Sequence, residues 1–352
     1  MVTSPLRIGS EQVPTTPRRN PSLTDVAEAA GVSMQTVSRV SNGLDNVQPS
    51  TRLHVEAAMK RLGYQPNRAA RALRTGRFKS IGVVVFTLES FGNMRTVEAI
   101  AAAAAAAGYT ITLISAAART REDVVEAIGR LEEQAVDGVI LLIESHLVDE
   151  TRIVLPENLP VVIVDSALRP DHCLVDTDQA QGARLATEHL LELGHQTVHH
   201  IAGPAASISA GHRESSWRET LQQHRRVVPA VFRGDWTTHT GYEIGQVIAL
   251  DAAITAVFVS NDQMALGLLR ACHEAGRPVP STLSIVGFDD MPESDSFWPP
   301  LTTIHQYFEH IGRGSIQSLL SALDGDSEPS QLVVPTRLVV RSSTTVPPAR
   351  PR

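Results

Sequence analysis

The stretch SLTDVAEAAGVSMQTVSRVSN, residues 22–42, reads as a helix, a tight turn and a second helix. Ser22 with Asp25 three residues later forms a capping box, which starts a helix by satisfying its orphan N–H groups. Val26, Ala27 and Ala30 give that helix an apolar stripe. Gly31 stands where the chain must turn sharply. Ser33 caps the second helix, whose Val37 and Val40 face inward. Met34, Gln35, Ser38 and Arg39 remain on its outer face. That set suits a DNA major groove, because a Gln amide pairs with adenine and Arg with guanine or phosphate. The plain alternative is a helical hairpin with a solvated polar face.

The surroundings favour DNA. A third helix is expected from Pro49 to Leu62, with proline at its first position and Gly63 at its end. Its Val55, Ala58, Met59 and Leu62 complete a three-helix head over residues 21–66. Residues 1–20, rich in Pro, Arg, Ser and Thr, read as a disordered tail. Residues 67–78 follow as a short helical hinge, with Asn67 as its cap, Gly76 as its stop and Arg68, Arg71 and Arg74 at three-residue spacing. So short a helix is marginal alone, and a solvated linker is the alternative. The chain carries a net charge of −7. Its first 80 residues hold 12 Lys+Arg against 5 Asp+Glu, and the rest 19 against 33. A basic head on an acidic body is the footprint of a DNA-binding domain joined to something else.

From Ile81 onward strands alternate with helices. Apolar runs read as buried strands at 81–86, 110–115, 138–143, 160–165, 198–202, 256–260 and 283–288, with a helix over Val97–Ala107 stopped by Gly108. Such alternation implies doubly wound parallel sheets. A body of residues 79–345 is long for one sheet, so two α/β lobes with a cleft between them are expected, followed by a tail at 346–352. No apolar run reaches the roughly 20 residues that span a bilayer. There is no signal-peptide core, and two cysteines without metal-type spacing fit a reducing cytoplasm.

Head, hinge and body together resemble the lac repressor/galactose repressor family of bacterial regulators. The motifs that carry the resemblance are DVAEAAGVSMQTVSRV, VEAAMKRLGYQPNRAARAL, LGH (193–195), AGP (202–204), GDW (234–236), SNDQMALG (260–267), GFDD (287–290) and PPLTTI (299–304). The resemblance implies a cytoplasmic, homodimeric transcriptional repressor, with a head like other helix-turn-helix proteins and a two-lobed body like periplasmic sugar-binding proteins. It implies operator contacts from Ser33, Met34, Gln35, Thr36, Ser38, Arg39 and Asn42 of the head. In the hinge it implies contacts from Asn67, Arg68, Ala70 and Leu73, the last as an apolar wedge in a minor-groove step. The C-terminal heptads that make lac-type members tetrameric are missing: RSSTTVPPARPR holds prolines and no leucine repeat, so a dimer is expected.

Ligands of α/β sheets sit beyond the carboxyl ends of the strands. Asp165, Asn261 and Asp289 end or follow strands there, Ser209 and Arg213 follow IAGP, and Gln306 ends LTTIHQ. Arg with Asp and Asn suits adjacent sugar hydroxyls, and Trp236 offers a flat face for a sugar ring. Each has an ordinary reading too, as a helix cap or a core residue. Asp262 and Asp290 read as caps or interlobe bonds. The constellation matches the family's sugar pocket. Residues Leu88–Met94 depart from the more apolar stretch of lac-type members, so Glu89, Phe91 and Asn93 are candidates to meet a second group, such as another sugar ring. A purine co-repressor is the alternative effector, with Phe91 and Trp236 as its two faces. A purely sugar-binding protein fits the basic head poorly. Catalytic signatures are absent: no GxSxG, HExxH or GxxxxGK. Cys272 and His273 are helix neighbours that point apart. No cofactor or metal is expected.

Overall fold

The structure is a computed structural model. It describes residues 21–44, 46–64, 76–116, 120–142, 159–164, 173–325 and 330–349. The chain separates into two compact units, one ending at Arg77 and one starting at Phe78.

In the first unit, α1 (Leu23–Ala30) starts at the capping box: Ser22 N–H donates to Asp25 Oδ2 at 2.6 Å, and Asp25 N–H donates to Ser22 Oγ at 3.3 Å. Gly31 ends it at φ 65°, a left-handed conformation glycine adopts without penalty. Ser33 caps α2 (Met34–Ser41), and Pro49 opens α3 (Pro49–Leu62). The core is four valines and two alanines: Val26, Ala27, Val37, Val40, Val55 and Ala58. At roughly 1.5–3 kcal/mol per fully buried valine, so small a core leaves much to the caps.

The second unit holds two parallel sheets. One has six strands, β1 (Ser80–Val85), β2 (Thr110–Ser115), β3 (Gly138–Leu142), β4 (Val161–Val164), β5 (Cys173–Thr177) and β11 (Gln331–Val334), in the order β11-β5-β4-β3-β1-β2. The other has β6 (His199–Ala202), β7 (Phe232–Arg233), β8 (Ala256–Val259) and β9 (Ser284–Val286), in the order β7-β6-β8-β9. A two-stranded antiparallel pair joins β10 (Thr303–His305) to β12 (Arg337–Val339). Each sheet has its own buried clusters. The N-terminal lobe carries α4 (Phe91–Ala106), α5 (Arg121–Glu133) and α10 (Phe308–Leu323). The C-terminal lobe carries α6 (Gln179–Glu192), α7 (Ile208–Gln223), α8 (Thr238–Leu250) and α9 (Asp262–Glu274). The chain passes between lobes after β5, after β10 and after β11, so neither lobe is continuous in sequence.

Two elements differ from expectation. The helix expected over Val97–Ala107 begins six residues earlier, at Phe91, because Ser90 Oγ accepts the Asn93 N–H at 3.4 Å. The strands β5, β7, β10 and β12 escaped the pattern because CLVDT, FR, TIH and RLV mix polar residues into short segments and make no continuous apolar run. The α8–α9 crossing is set by glycine: a Cβ on Gly267 would lie 2.1 Å from the Thr238 carbonyl oxygen.

Candidate DNA-reading surface and ligand cavity

On α2 the outer face divides in two. Ser33 and Thr36 are occupied with the helix start, their hydroxyls 3.0 Å apart and the Thr36 N–H on Ser33 Oγ. Asn42 closes the other end, its Nδ2 donating to the Ser38 carbonyl and, at 3.3 Å, to Ser38 Oγ. Between them Met34 is 56% exposed. Gln35 is exposed and Arg39 half-buried. Both are donors available for bases or phosphates. Asn67, Arg68, Ala70 and Leu73 lie outside the described residues, as does Asp165.

The cavity lies between the lobes of the second unit and is open to solvent at its mouth. From the C-terminal lobe come Ser209, Arg213, Trp236, Asn261 and Asp289, with Gln306 at the crossing after β10. Arg213, in the second turn of α7, is 5% exposed. Its Nε donates to Gln179 Oε1 at 2.8 Å and its Nη1 to the Ser260 carbonyl. Its guanidinium lies 3.7 Å from the Phe288 ring centroid and 5.5 Å from that of Trp236. Nη2 stands 4.0 Å from Asp289 Oδ1, which also accepts from Gln306 Nε2 at 2.7 Å. Asp289 is held at φ 110°, a strained conformation that costs about 1–3 kcal/mol and persists only where the surroundings enforce it. Asn261 is both cap and wall: its Oδ1 accepts the Met264 N–H, and its Nδ2 donates to the Trp236 carbonyl at 2.9 Å. Trp236, at φ 77°, is fixed from behind as well, because a Cβ on Gly203 would meet its ring at 2.4 Å. The glycine of the AGP motif is thus the space the indole occupies.

The N-terminal lobe contributes Ser90, Asn93 and Thr96 from the start of α4, Asp176 from the end of β5, and Phe308 and Ile311 from α10. Phe91 corrects an expectation: it does not line the cavity. As the first residue of α4 it turns toward α10, edge-on to Phe308 at 6.0 Å, and its N–H donates to Gln263 Oε1 at 3.0 Å. Phe308 supplies the aromatic wall instead. Asp176, Gln179 and Phe308 were missed by sequence reasoning. Asp176 ends a parallel strand just as Asp289 follows one, and the same strand-end rule finds it once β5 is recognised.

Asp262 and Asp290 are neither simple caps nor interlobe bonds. Asp262 is fully buried and accepts from Met291 N–H, Ser294 Oγ and Thr303 Oγ1 at 2.9, 2.6 and 2.6 Å. Burial pushes its carboxyl up to about 6. Asp290 accepts from His305 Nδ1 and Arg341 Nη2. Both tie the loop after β9 to β10 and so hold Asp289 and Gln306 in place. Cys272 is buried while His273 is exposed, so the pair makes no dyad. Among the described residues no group of His, Cys, Asp and Glu is arranged to hold a metal, and no helix is long and apolar enough to cross a membrane.

Comparison with known proteins matches residues 22–67 to the lacI family of bacterial regulatory proteins and residues 187–344 to a periplasmic binding protein-like domain. The lactose operon repressor of Escherichia coli (strain K12) is 36% identical over 330 residues, covering 92% of this chain and 91% of its own. The solved lac repressor dimer bound to operator and the anti-inducer ONPF superposes with a TM-score of 0.83 at 35% identity, over 93% of this chain and all of that one. The transcriptional regulator CelR of Thermobifida fusca is 36% identical over 93% of this chain and 99% of its own. A solved complex of a transcriptional regulator CelR with cellobiose matches at a TM-score of 0.68 and 32% identity, over 92% of this chain and 99% of that one. The repressor PurR of Mannheimia succiniciproducens is 32% identical over 91% of this chain and 98% of its own. These relatives are transcriptional regulators, not enzymes. Head, body and motifs agree over nearly the whole length, and the chain belongs to the lacI family of bacterial regulatory proteins.

Proposed function

We propose that this protein is a cytoplasmic, homodimeric transcriptional repressor whose operator affinity is lowered by a neutral sugar or glycoside bound between the lobes of its second unit. Two heads read a roughly palindromic operator with Met34, Gln35 and Arg39, and Asn67 to Leu73 act as the hinge that couples head to body. Sugar binding favours the arrangement with low operator affinity, which requires the sugar to bind that state better.

The observation that carries the sugar reading is the cavity wall. Arg213, Asp289, Asn261 and Gln306 present donors and acceptors held at fixed positions beside the flat face of Trp236, which is what a polyhydroxylated ring needs. Phe91, the expected second face for a planar purine, is turned toward α10, and Phe308 takes its place in the wall.

The test is binding to a palindromic site near the protein's own gene at fixed salt, titrated with galactosides, glucosides, free monosaccharides and purines. Weakening by one sugar is the expected result. Tightening by a purine overturns it.

A further inference from the structure

His200, on β6, is fully buried, its ring stacked on Trp217 of α7 at 5.1 Å and on Phe258 of β8 at 4.7 Å. An aliphatic side chain would fill that space without taking polar atoms out of water, which is costly unless each finds a partner. Both ring nitrogens have one. Nδ1 lies 2.9 Å from the Phe258 carbonyl, which accepts only, so Nδ1 carries the hydrogen. Burial pushes the imidazole down to about 4, so the ring is neutral near pH 7 and Nε2 is left as an acceptor. The Ser260 hydroxyl, 3.4 Å away, therefore donates to it. Ser260 follows β8 and is itself fully buried. Its N–H donates to the Ile201 carbonyl at 2.8 Å, and its own carbonyl accepts from Arg213 Nη1. The next residue, Asn261, caps α9 and lines the cavity. One serine thus stands between a buried imidazole and two side chains of the cavity wall.

We propose that His200 is a positioning residue of the cavity: by holding the Ser260 hydroxyl, its Nε2 fixes the end of β8 that aims the Arg213 guanidinium and the Asn261 amide at the sugar. This rests on the sugar reading above. Arg213 and Trp217 stand one turn apart on α7, and each meets one member of the His200–Ser260 pair. His200 is not among the residues that line the cavity, so it acts through Ser260. Removing Nε2 leaves a buried hydroxyl without its acceptor, a cost that a shift of the residue 260 peptide relieves at the expense of Arg213 and Asn261.

Calorimetric titration of the full chain with cellobiose, lactose, methyl β-glucoside and methyl β-galactoside tests it, the sugar that the parent binds most tightly then being given to the variants. His200→Phe keeps a stacked ring and removes both nitrogens. Ser260→Ala keeps the imidazole and removes the link. Each is expected to lower sugar affinity about three- to tenfold, the scale of one hydrogen bond. The double variant is expected to lose no more than the weaker of the two single variants, because both changes break one path. Operator binding without sugar and the thermal melt serve as controls for folding; a residue that only packs the lobe lowers the melt without this shared loss of affinity. If the phenylalanine variant folds poorly, His200→Leu takes its place in the cycle. Unchanged affinity in either folded single variant, or losses that multiply in the double variant, overturns the positioning role and leaves the sugar reading standing. No binding by the parent to any of the four sugars overturns both.

Discussion

On α2, Gln35 stands exposed beside Met34, while in the cavity Arg213 is 5% exposed and already engaged by Gln179, Ser260 and Asp289. The two surfaces bind by different physics. A DNA duplex brings its own dense row of acceptors, and affinity comes largely from charge neutralisation, so the protein side can remain solvated until contact. A small neutral ligand brings few groups and little charge. Its site must be assembled beforehand, because polar side chains left unpaired in a dry wall are costly.

If preassembly is what makes the cavity, removing its centre should cost most. Arg213→Ala leaves Asp289 with Gln306 but without its cation. Breaking a buried pair from one side costs about 3–5 kcal/mol, and the sugar response should vanish while sugar-free operator binding persists. Denaturant unfolding and an operator titration measure both. A variant that still responds to sugar would erase the contrast between the two surfaces.

Acid titration probes the same burial. Asp262 is raised to about 6, so the stability it contributes is fully present below about 4 and is lost as pH rises through 6. His200 is fully buried, stacked between Trp217 and Phe258, and burial holds it down at about 4. Its contribution is present above about 6.5 and is lost as pH falls through 4. Each amounts to about 3 kcal/mol, with opposite sign across the same window. Asp262→Asn should therefore steepen the loss of stability between pH 6.5 and pH 4 by about that amount in urea unfolding. A slope equal to the parent's would mean that the carboxyl is not buried as described.

Gly203→Ala attacks the wall without touching any polar group. Its new Cβ would meet the Trp236 ring at 2.4 Å, so the ring that lines the cavity must shift. Overpacking of this kind costs about 1–3 kcal/mol. Sugar affinity is expected to fall about tenfold or more by calorimetry while operator affinity holds. Unimpaired sugar binding would free Trp236 from its assigned place.

How far each surface can be read from sequence follows from the same difference. The head is local: cap, stripe, glycine and polar face all lie within 21 residues, and every one of those readings has its counterpart in α1 and α2. The cavity gathers side chains from Ser90 to Ile311, across two lobes that the chain enters more than once. Strand ends gave Asn261 and Asp289 because β8 and β9 lie within runs dominated by apolar residues, whereas β5, CLVDT, is broken by Asp176 and Thr177. Asp176 was lost with β5. Phe91 was misplaced because the start of α4 depends on a single serine cap, and a shift of one residue around a helix turns a side chain by about 100°.

In the head, the cap matters more than any single outward side chain. Ser33→Ala removes the acceptor of the Thr36 N–H and should destabilise α2 by about 1 kcal/mol. Hydrogen exchange of the α2 amides reads this directly. Sugar affinity measured on the same sample should not move; a change there would tie cavity and cap together more closely than two separate compact units suggest.

The smallest effect falls on the seam between lobes. Gln263 belongs to α9, two residues after Asn261, yet its Oε1 accepts the N–H of Phe91 at the first turn of α4. That N–H has no partner within its own helix, so the side chain of one lobe finishes a helix of the other at the edge of the cavity. Phe91 in turn packs edge-on against Phe308, part of the wall. Gln263→Met keeps the length and removes the acceptor. The net cost of the lost hydrogen bond is about 1 kcal/mol, felt as roughly a threefold loss of sugar affinity. Gln263→Glu retains an acceptor beside two helix N-termini and should restore the parent value. A loss that glutamate fails to rescue would reduce Gln263 to a packing residue, and the closure of the cavity would then rest on the ligand alone.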